Sequence, residues 1–231
     1  INKMNKYCSE FIGTFFLVFA GTGAIIINDL TDGQITHMGI ALTFGLVVMA
    51  MIYSVGNVSG AHLNPAVTLG FLMSGRLEKQ EVLPFILSQF LGAVLASLIL
   101  RFMFLNHPTL GITVPSGSIY QAFSLEIILS FLLMFVVLNV STGAKEKGIM
   151  AGVAVGSTIA LEALFAGPIT GASMNPARSL APALISGNVQ QVWIYLIAPV
   201  LGALAACPFC RFIQGKECCP PIEKEIKLQV N

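Results

Sequence analysis

One tripeptide occurs twice in this chain, in the same surroundings and 111 residues apart: Asn64-Pro65-Ala66 and Asn175-Pro176-Ala177. The run Gly60–Leu69 lies over Gly171–Leu180 and differs from it only at His62/Ser173, Leu63/Met174, Val67/Arg178 and Thr68/Ser179, the last pair conservative. The chain is therefore built from two copies of one unit, and what one copy forms the other must form too. Asn followed by Pro is a helix start, because Asn caps the free N–H groups and Pro fits the first helical turn. Each copy then stays apolar for about ten residues, to near Met73 and Ile185. Ten helical residues rise ~15 Å, half of a ~30 Å bilayer core.

Composition decides that a bilayer is the right yardstick. The chain is 55% hydrophobic and 10% charged, where an ordinary soluble domain is about 25% charged. Six longer apolar stretches, at 7–28, 39–57, 82–104, 119–140, 148–167 and 191–213, each approach the ~20 residues that cross a membrane. The expected fold is an all-α membrane protein. It has six transmembrane helices and two re-entrant half-helices in one channel-sized domain over 1–231, with repeats at about 7–104 and 119–213. Three spans per repeat is an odd number, so the second copy is inverted and the half-helices meet at the midplane. Glu10 is expected to open the first span and Glu126 the fourth. Gln89–Ala93 in the third span corresponds to Pro199–Ala203 in the sixth. Lys3 and Lys6 flank a first span rather than a signal peptide, since the apolar run is too long and Glu10 interrupts it.

Ten of the twelve Lys and Arg residues (Lys3, Lys6, Arg76, Lys79, Lys145, Lys147, Arg211, Lys216, Lys224 and Lys227) fall on one side of this topology, against Arg101 and Arg178 on the other. That bias places both termini, and the charged tail 214–231, in the cytoplasm. The net charge of +1 gives no reason to expect a nucleic-acid partner. The five cysteines cluster near the chain ends and do not read as an extracellular disulfide framework. Cys207-Pro208-Phe209-Cys210 reads as helix packing, and Cys218-Cys219 as a place where palmitoylation could occur. Gly152, Gly156, Gly92 and Gly202 read as sites of close helix contact.

The two half-helices carry the chemistry. Their N-termini point partial positive charge at the midplane, and the side-chain amides of Asn64 and Asn175 offer paired donors there. The segments ahead of them, Gly60-Ala61-His62-Leu63 and Gly171-Ala172-Ser173-Met174, cannot be helical. Irregular backbone at membrane depth survives only against protein or water, so their carbonyls are expected to form a ladder of acceptors along a narrow wet path. Central donors and wall acceptors suit water or small hydroxylated solutes. Arg178, where the first copy has Val67, is a charge at membrane depth and is expected to line that path. Glu162 is open to three readings: bracing a loop, facing a neighbouring span, or lining the pore. His37 and His107 are expected to be solvated in outer loops.

The paired Asn-Pro-Ala motifs, the Arg after the second and the acids Glu10 and Glu126 together resemble the aquaporins, the major intrinsic protein family, from about Tyr7 to Phe212. The resemblance implies passive conduction of water and small neutral solutes through a pore in each subunit of a lipid-embedded homotetramer. It implies an outer constriction of Phe44, Ala163, Ala172 and Arg178, with Ala163 where strict water channels place His. It assigns Glu10 and Glu126 to bracing the non-helical backbone, and His62 to the cytoplasmic side of the pore. The run Gly171–Leu180 and Tyr195-Leu196 resemble the nodulin-26-like intrinsic proteins, which pass water, glycerol or metalloid acids to differing extents, although Phe44 stands where those usually have Trp. No cofactor, metal or catalytic residue is implied. An ion-coupled transporter would want acids placed for ion binding and length for moving bundles. An enzyme would want a nucleophile–base pair or metal-spaced ligands, and neither pattern is present.

Overall fold

The computed structural model describes residues 2–141 and 149–215. Its described residues form eight helices and no strand: α1 Lys3–Leu30, α2 Thr36–Ser59, α3 Pro65–Ser74, α4 Lys79–Met103, α5 Ile119–Val140, α6 Ala151–Thr170, α7 Pro176–Ser186 and α8 Val192–Gln214. Six are long and apolar enough to span a bilayer; α3 and α7, at 10 and 11 residues, are not. The expected fold class is the observed one. The expected span 148–167 is displaced by three residues, to Ala151–Thr170. Pro168 does not stop the helix, because the Leu164 carbonyl that its missing N–H would have bonded meets His37 Nε2 at 2.6 Å instead. Gly171, at φ 84°, ends it.

Packing repeats with the sequence. Helix α1 lies on α4 and α2, as α5 lies on α8 and α6, while α2 and α6 pack against each other across the centre. A side chain at Gly92 in α4 would put its first carbon 2.2 Å from the Phe11 carbonyl oxygen, and one at Gly202 in α8 would put it 2.2 Å from that of Ile127. Gly45 and Gly156 meet reciprocally, each carbonyl within 2.6 Å of where the other's side chain would begin. Without a hydrophobic driving force between helices in lipid, such small-residue contacts let van der Waals packing hold the bundle.

The acids sit deeper than the sequence suggests. Glu10 and Glu126 each lie seven residues inside their helices, two turns from the ends rather than at the openings of the spans. Both are fully buried. For Glu10 the apolar run starts four residues later than α1 does, whereas the run 119–140 coincides with α5, so the expectation that Glu126 opens its span fails without any error in the helix bounds. The cationic residues Lys3 and Lys6 pair with Glu81, and Arg76 and Arg211 bond the ends of α5 and α3 on the same side of the bundle. Arg101 bonds the Leu105 and His107 carbonyls in the loop at the opposite side. Cys207 is buried in α8 as a packing residue, its Sγ 3.4 Å from the Gly70 oxygen, but Cys210, also buried in α8, is disulfide-bonded and so departs from the packing expectation. Cys218, Cys219, Lys145, Lys147, Lys216, Lys224, Lys227 and nearly all of the tail lie outside the described residues.

Candidate functional site

The two half-helices meet end to end. Asn64 Oδ1 caps α3 by accepting from Ala66 N–H at 2.8 Å, and Asn175 Oδ1 caps α7 by accepting from Ala177 and Arg178 N–H at 3.0 and 3.3 Å. The amide ends then cross over. Asn64 Nδ2 donates to the Met174 oxygen at 2.7 Å, and Asn175 Nδ2 donates to the Leu63 oxygen at 2.9 Å. Each amide carries two protons, so one from each side chain remains for whatever passes. Capping fixes the amide's direction, because the oxygen is held by its own helix and only nitrogen can face outward.

The segments ahead of the caps are held in an improbable shape. Ala61, Leu63, Ala172 and Met174 have φ of 48°, 53°, 41° and 53°, values that L-residues rarely adopt. The acids hold them there. Glu10 accepts from Ser59 Oγ (2.6 Å), His62 N–H (2.9 Å), Leu63 N–H (2.7 Å) and Gln89 Nε2 (2.8 Å). Glu126 accepts from Thr170 Oγ1 (2.8 Å), Ser173 N–H (2.9 Å) and Met174 N–H (2.9 Å). With these N–H groups turned to the carboxylates, the segments present their other side to the cavity.

That cavity runs along the centre of the bundle. The walls are apolar and repeat-related: Phe44, Val48 and Ile52 from α2 correspond to Val155, Ile159 and Ala163 from α6, each pair 111 residues apart, and Leu17 from α1 and Leu133 from α5 join them. The polar groups are confined to Asn64, Asn175, Arg178, His62 and the non-helical backbone, apart from Ser141 at one end. Gly60, Ala61, His62, Leu63, Ala172, Ser173 and Met174 line it as expected; Gly171 does not, being covered by Thr113, 3.0 Å from where a side chain would begin. The sequence could not supply that contact, which comes from the distant 104–118 loop.

Phe44, Ala163, Ala172 and Arg178 all line this cavity, and Phe44 and Arg178 lie against each other. Arg178 is 2% exposed. Its guanidinium carbon lies 5.0 Å from the Phe44 ring centroid, within cation–π range, and its Nη1 donates to the Gly111 oxygen at 2.9 Å. It is not a snorkelling interface residue. His62 faces the same cavity, stacked on Phe71 with ring centroids 4.4 Å apart and Nδ1 3.1 Å from Thr68 Oγ1. Its counterpart is Ser173, whose Oγ is bonded to Ser179 Oγ.

Glu162 does not line the cavity. It is fully buried beside Ala163, and no protein donor meets either of its oxygens. Of the two histidines expected to be solvated, His37 is and His107 is not. His37 is exposed yet bonded to Leu164 O. His107 is 5% exposed, bonded to the Leu110 N–H, and 3.4 Å from Asp29. Gly111, the anchor of Arg178, carried no sequence signal apart from being glycine in a loop. Among the described residues no group of His, Cys, Asp and Glu is arranged to hold a metal ion.

Comparison with known proteins matches the family described as major intrinsic protein over residues 1–209. Aquaporin NIP1-1 of Zea mays is 51% identical over 203 residues, covering 87% of this chain and 72% of that protein. Nodulin-26 of Glycine max is 46% identical over 203 residues, covering 87% and 75%. Among solved structures, the aquaglyceroporin of Plasmodium falciparum superposes with a TM-score of 0.84 at 25% identity, covering 94% of this chain and 99% of that one.

Proposed function

We propose a pore mechanism on the premise that the chain belongs to the major intrinsic protein family, among the nodulin-26-like aquaporins, and is an integral membrane channel rather than an enzyme. It conducts water and small neutral solutes such as glycerol, in keeping with its structural likeness to an aquaglyceroporin. The observation that carries the mechanism is the crossed pair of Asn bonds.

Water in single file meets two amide donors at the midplane and apolar walls on the other sides. Its oxygen accepts from Asn64 and Asn175, so both of its hydrogens point away along the file and it cannot hand a proton across the centre. The two half-helix N-termini and Arg178 add positive potential that repels cations and hydronium. The outer filter is Phe44, Ala163, Ala172 and Arg178. Ala163 leaves room for a solute wider than water, Phe44 supplies an apolar wall, and Arg178 donates to a hydroxyl. Neutral metalloid acids, small and hydroxylated, fit the same chemistry. Glu10 and Glu126 are bracing groups whose carboxylates are already filled by backbone and side-chain donors. Both termini face the cytoplasm, following the Lys and Arg bias, and the subunit works in a homotetramer in the lipid bilayer.

Stopped-flow light scattering on proteoliposomes, under sucrose, glycerol, urea and boric-acid gradients, tests the reading. Expected are fast water flux with a low activation energy and measurable glycerol flux without ion conductance. Shrinkage no faster than that of empty liposomes refutes the channel. Water flux with glycerol, urea and boric acid all excluded refutes the wide filter alone.

A further inference from the structure

The 107–111 turn joins the outer surface to the filter. His107 Nδ1 lies 3.0 Å from the Leu110 backbone nitrogen. A backbone N–H can only donate, so Nδ1 is the acceptor and carries no proton. The other ring nitrogen, Nε2, then carries the hydrogen and faces Asp29 Oδ2 at 3.4 Å. Beyond His107 the chain passes through φ 53° at Leu110 and φ 68° at Gly111. The Gly111 oxygen there accepts from Arg178 Nη1 at 2.9 Å. The turn has little slack. Leu110 is fully buried against Ile26 and Leu100, and Gly111 lies against Thr22, 3.1 Å from where a side chain would begin.

We propose that His107 is a positioning residue for Arg178, and that its protonation from the outer side changes permeation through the filter. Adding a proton to His107 puts it on Nδ1, where the Leu110 N–H already points. Two donors then face each other across 3.0 Å, and the turn must open or the ring must leave. Either way the Gly111 carbonyl shifts, and the guanidinium loses the bond that holds it in the filter. The charged groups facing His107 oppose one another. Asp29 on α1, about half exposed, favours the imidazolium weakly. Arg101 on α4, donating at 2.7 Å to the His107 carbonyl, disfavours it. The third contact of the turn, Asn188 Nδ2 on the Pro108 oxygen, is neutral. The sign is fixed by geometry: the Leu110 bond exists with neutral His107 and is lost as pH falls.

The inference rests on Arg178 being a filter residue of a conducting pore. The experiment measures water permeability of proteoliposomes between pH 7.5 and 5.0, for wild type, His107→Asn and His107→Ala. The Asn side chain can present an oxygen to the Leu110 N–H without titrating, so it keeps the turn and removes the switch. Wild-type permeability is expected to change at least twofold across the range, with His107→Asn flat and close to the pH 7.5 wild-type value. His107→Ala, lacking the acceptor at any pH, is expected to sit near the pH 5.0 wild-type value throughout. Identical profiles for wild type and His107→Asn, whether flat or sloping, overturn the proposal. Should His107→Ala fail to assemble, the Asn comparison still decides. Wild-type vesicles that conduct nothing at pH 7.5 would instead refute the channel reading itself.

Discussion

Replacing each bracing acid by its amide should harm the two halves unequally. In Glu10, each oxygen serves two donors: Oε1 takes Ser59 Oγ and His62 N–H, and Oε2 takes Leu63 N–H and Gln89 Nε2. A glutamine there must aim its NH2 at one pair or the other, so one backbone N–H and one side-chain donor lose their acceptor whichever way it turns. In Glu126, Oε1 serves Thr170 Oγ1 and Ser173 N–H, but Oε2 serves Met174 N–H alone. A glutamine can place its NH2 on the Oε2 side and strand one donor. The difference arises because Pro199, which has no donor, occupies the place in the sixth span that Gln89 holds in the third. A buried donor left unsatisfied costs about 1–3 kcal/mol, so Glu10→Gln should cost about one such increment more than Glu126→Gln. Gln89 keeps its 2.9 Å bond to Thr68 Oγ1, which places the difference toward the low end of that range. Unfolding midpoints of the purified protein in mixed-micelle SDS titrations measure it directly. Equal midpoints, or a lower one for Glu126→Gln, would refute the donor count as the source of bracing strength.

Ala163→His, which adds bulk and a donor beside Arg178 and Phe44, should cut glycerol flux at least several-fold while water flux changes less; stopped-flow scattering reads both, and an unchanged ratio would remove Ala163 from the filter. Gly202→Val would press a branched side chain where even a first carbon stands 2.2 Å from the Ile127 oxygen, and should abolish a monodisperse folded peak on size-exclusion chromatography; normal yield would mean α5 and α8 can separate at little cost. Glu162→Gln replaces a buried carboxyl that no protein donor meets by a group less costly to bury, so the thermal midpoint should hold or rise with water flux within about twofold of wild type, and a fall would reveal a partner for the carboxylate.

The repeat made the half-helices, the caps and the central asparagines legible, because helix starts and apolar runs are local properties of a chain. Burial of Arg178 was legible for the same reason, since it follows a cap that had already been placed at depth. The connections between distant segments were not. His37 reaches Leu164 and Thr113 covers Gly171 across 127 and 58 positions respectively, and no local pattern encodes either contact. The depth of Glu10 was missed because polar residues such as Asn5 and Ser9 belong to helix α1 without being apolar; Glu126 lies seven residues inside a helix whose bounds the apolar run already marked. Hydropathy finds where lipid lies against a helix and is blind to where the helix begins.

The crossed amides also set an order of events during synthesis. Asn64 finds its acceptor on Met174, and the Leu63 carbonyl finds its donor on Asn175. At about 5–20 residues per second, the ribosome needs roughly 6–22 s to make the 111 residues that separate the two motifs. Until then the first half-helix has emerged with one side of its amide and one loop carbonyl unmatched, in a segment that tolerates such groups only against protein or water. Final seating of the first half is thus a late step in biogenesis, made when the second half arrives. The nascent chain must keep residues 60–74 at a wet or chaperoned surface while the intervening spans are threaded past them.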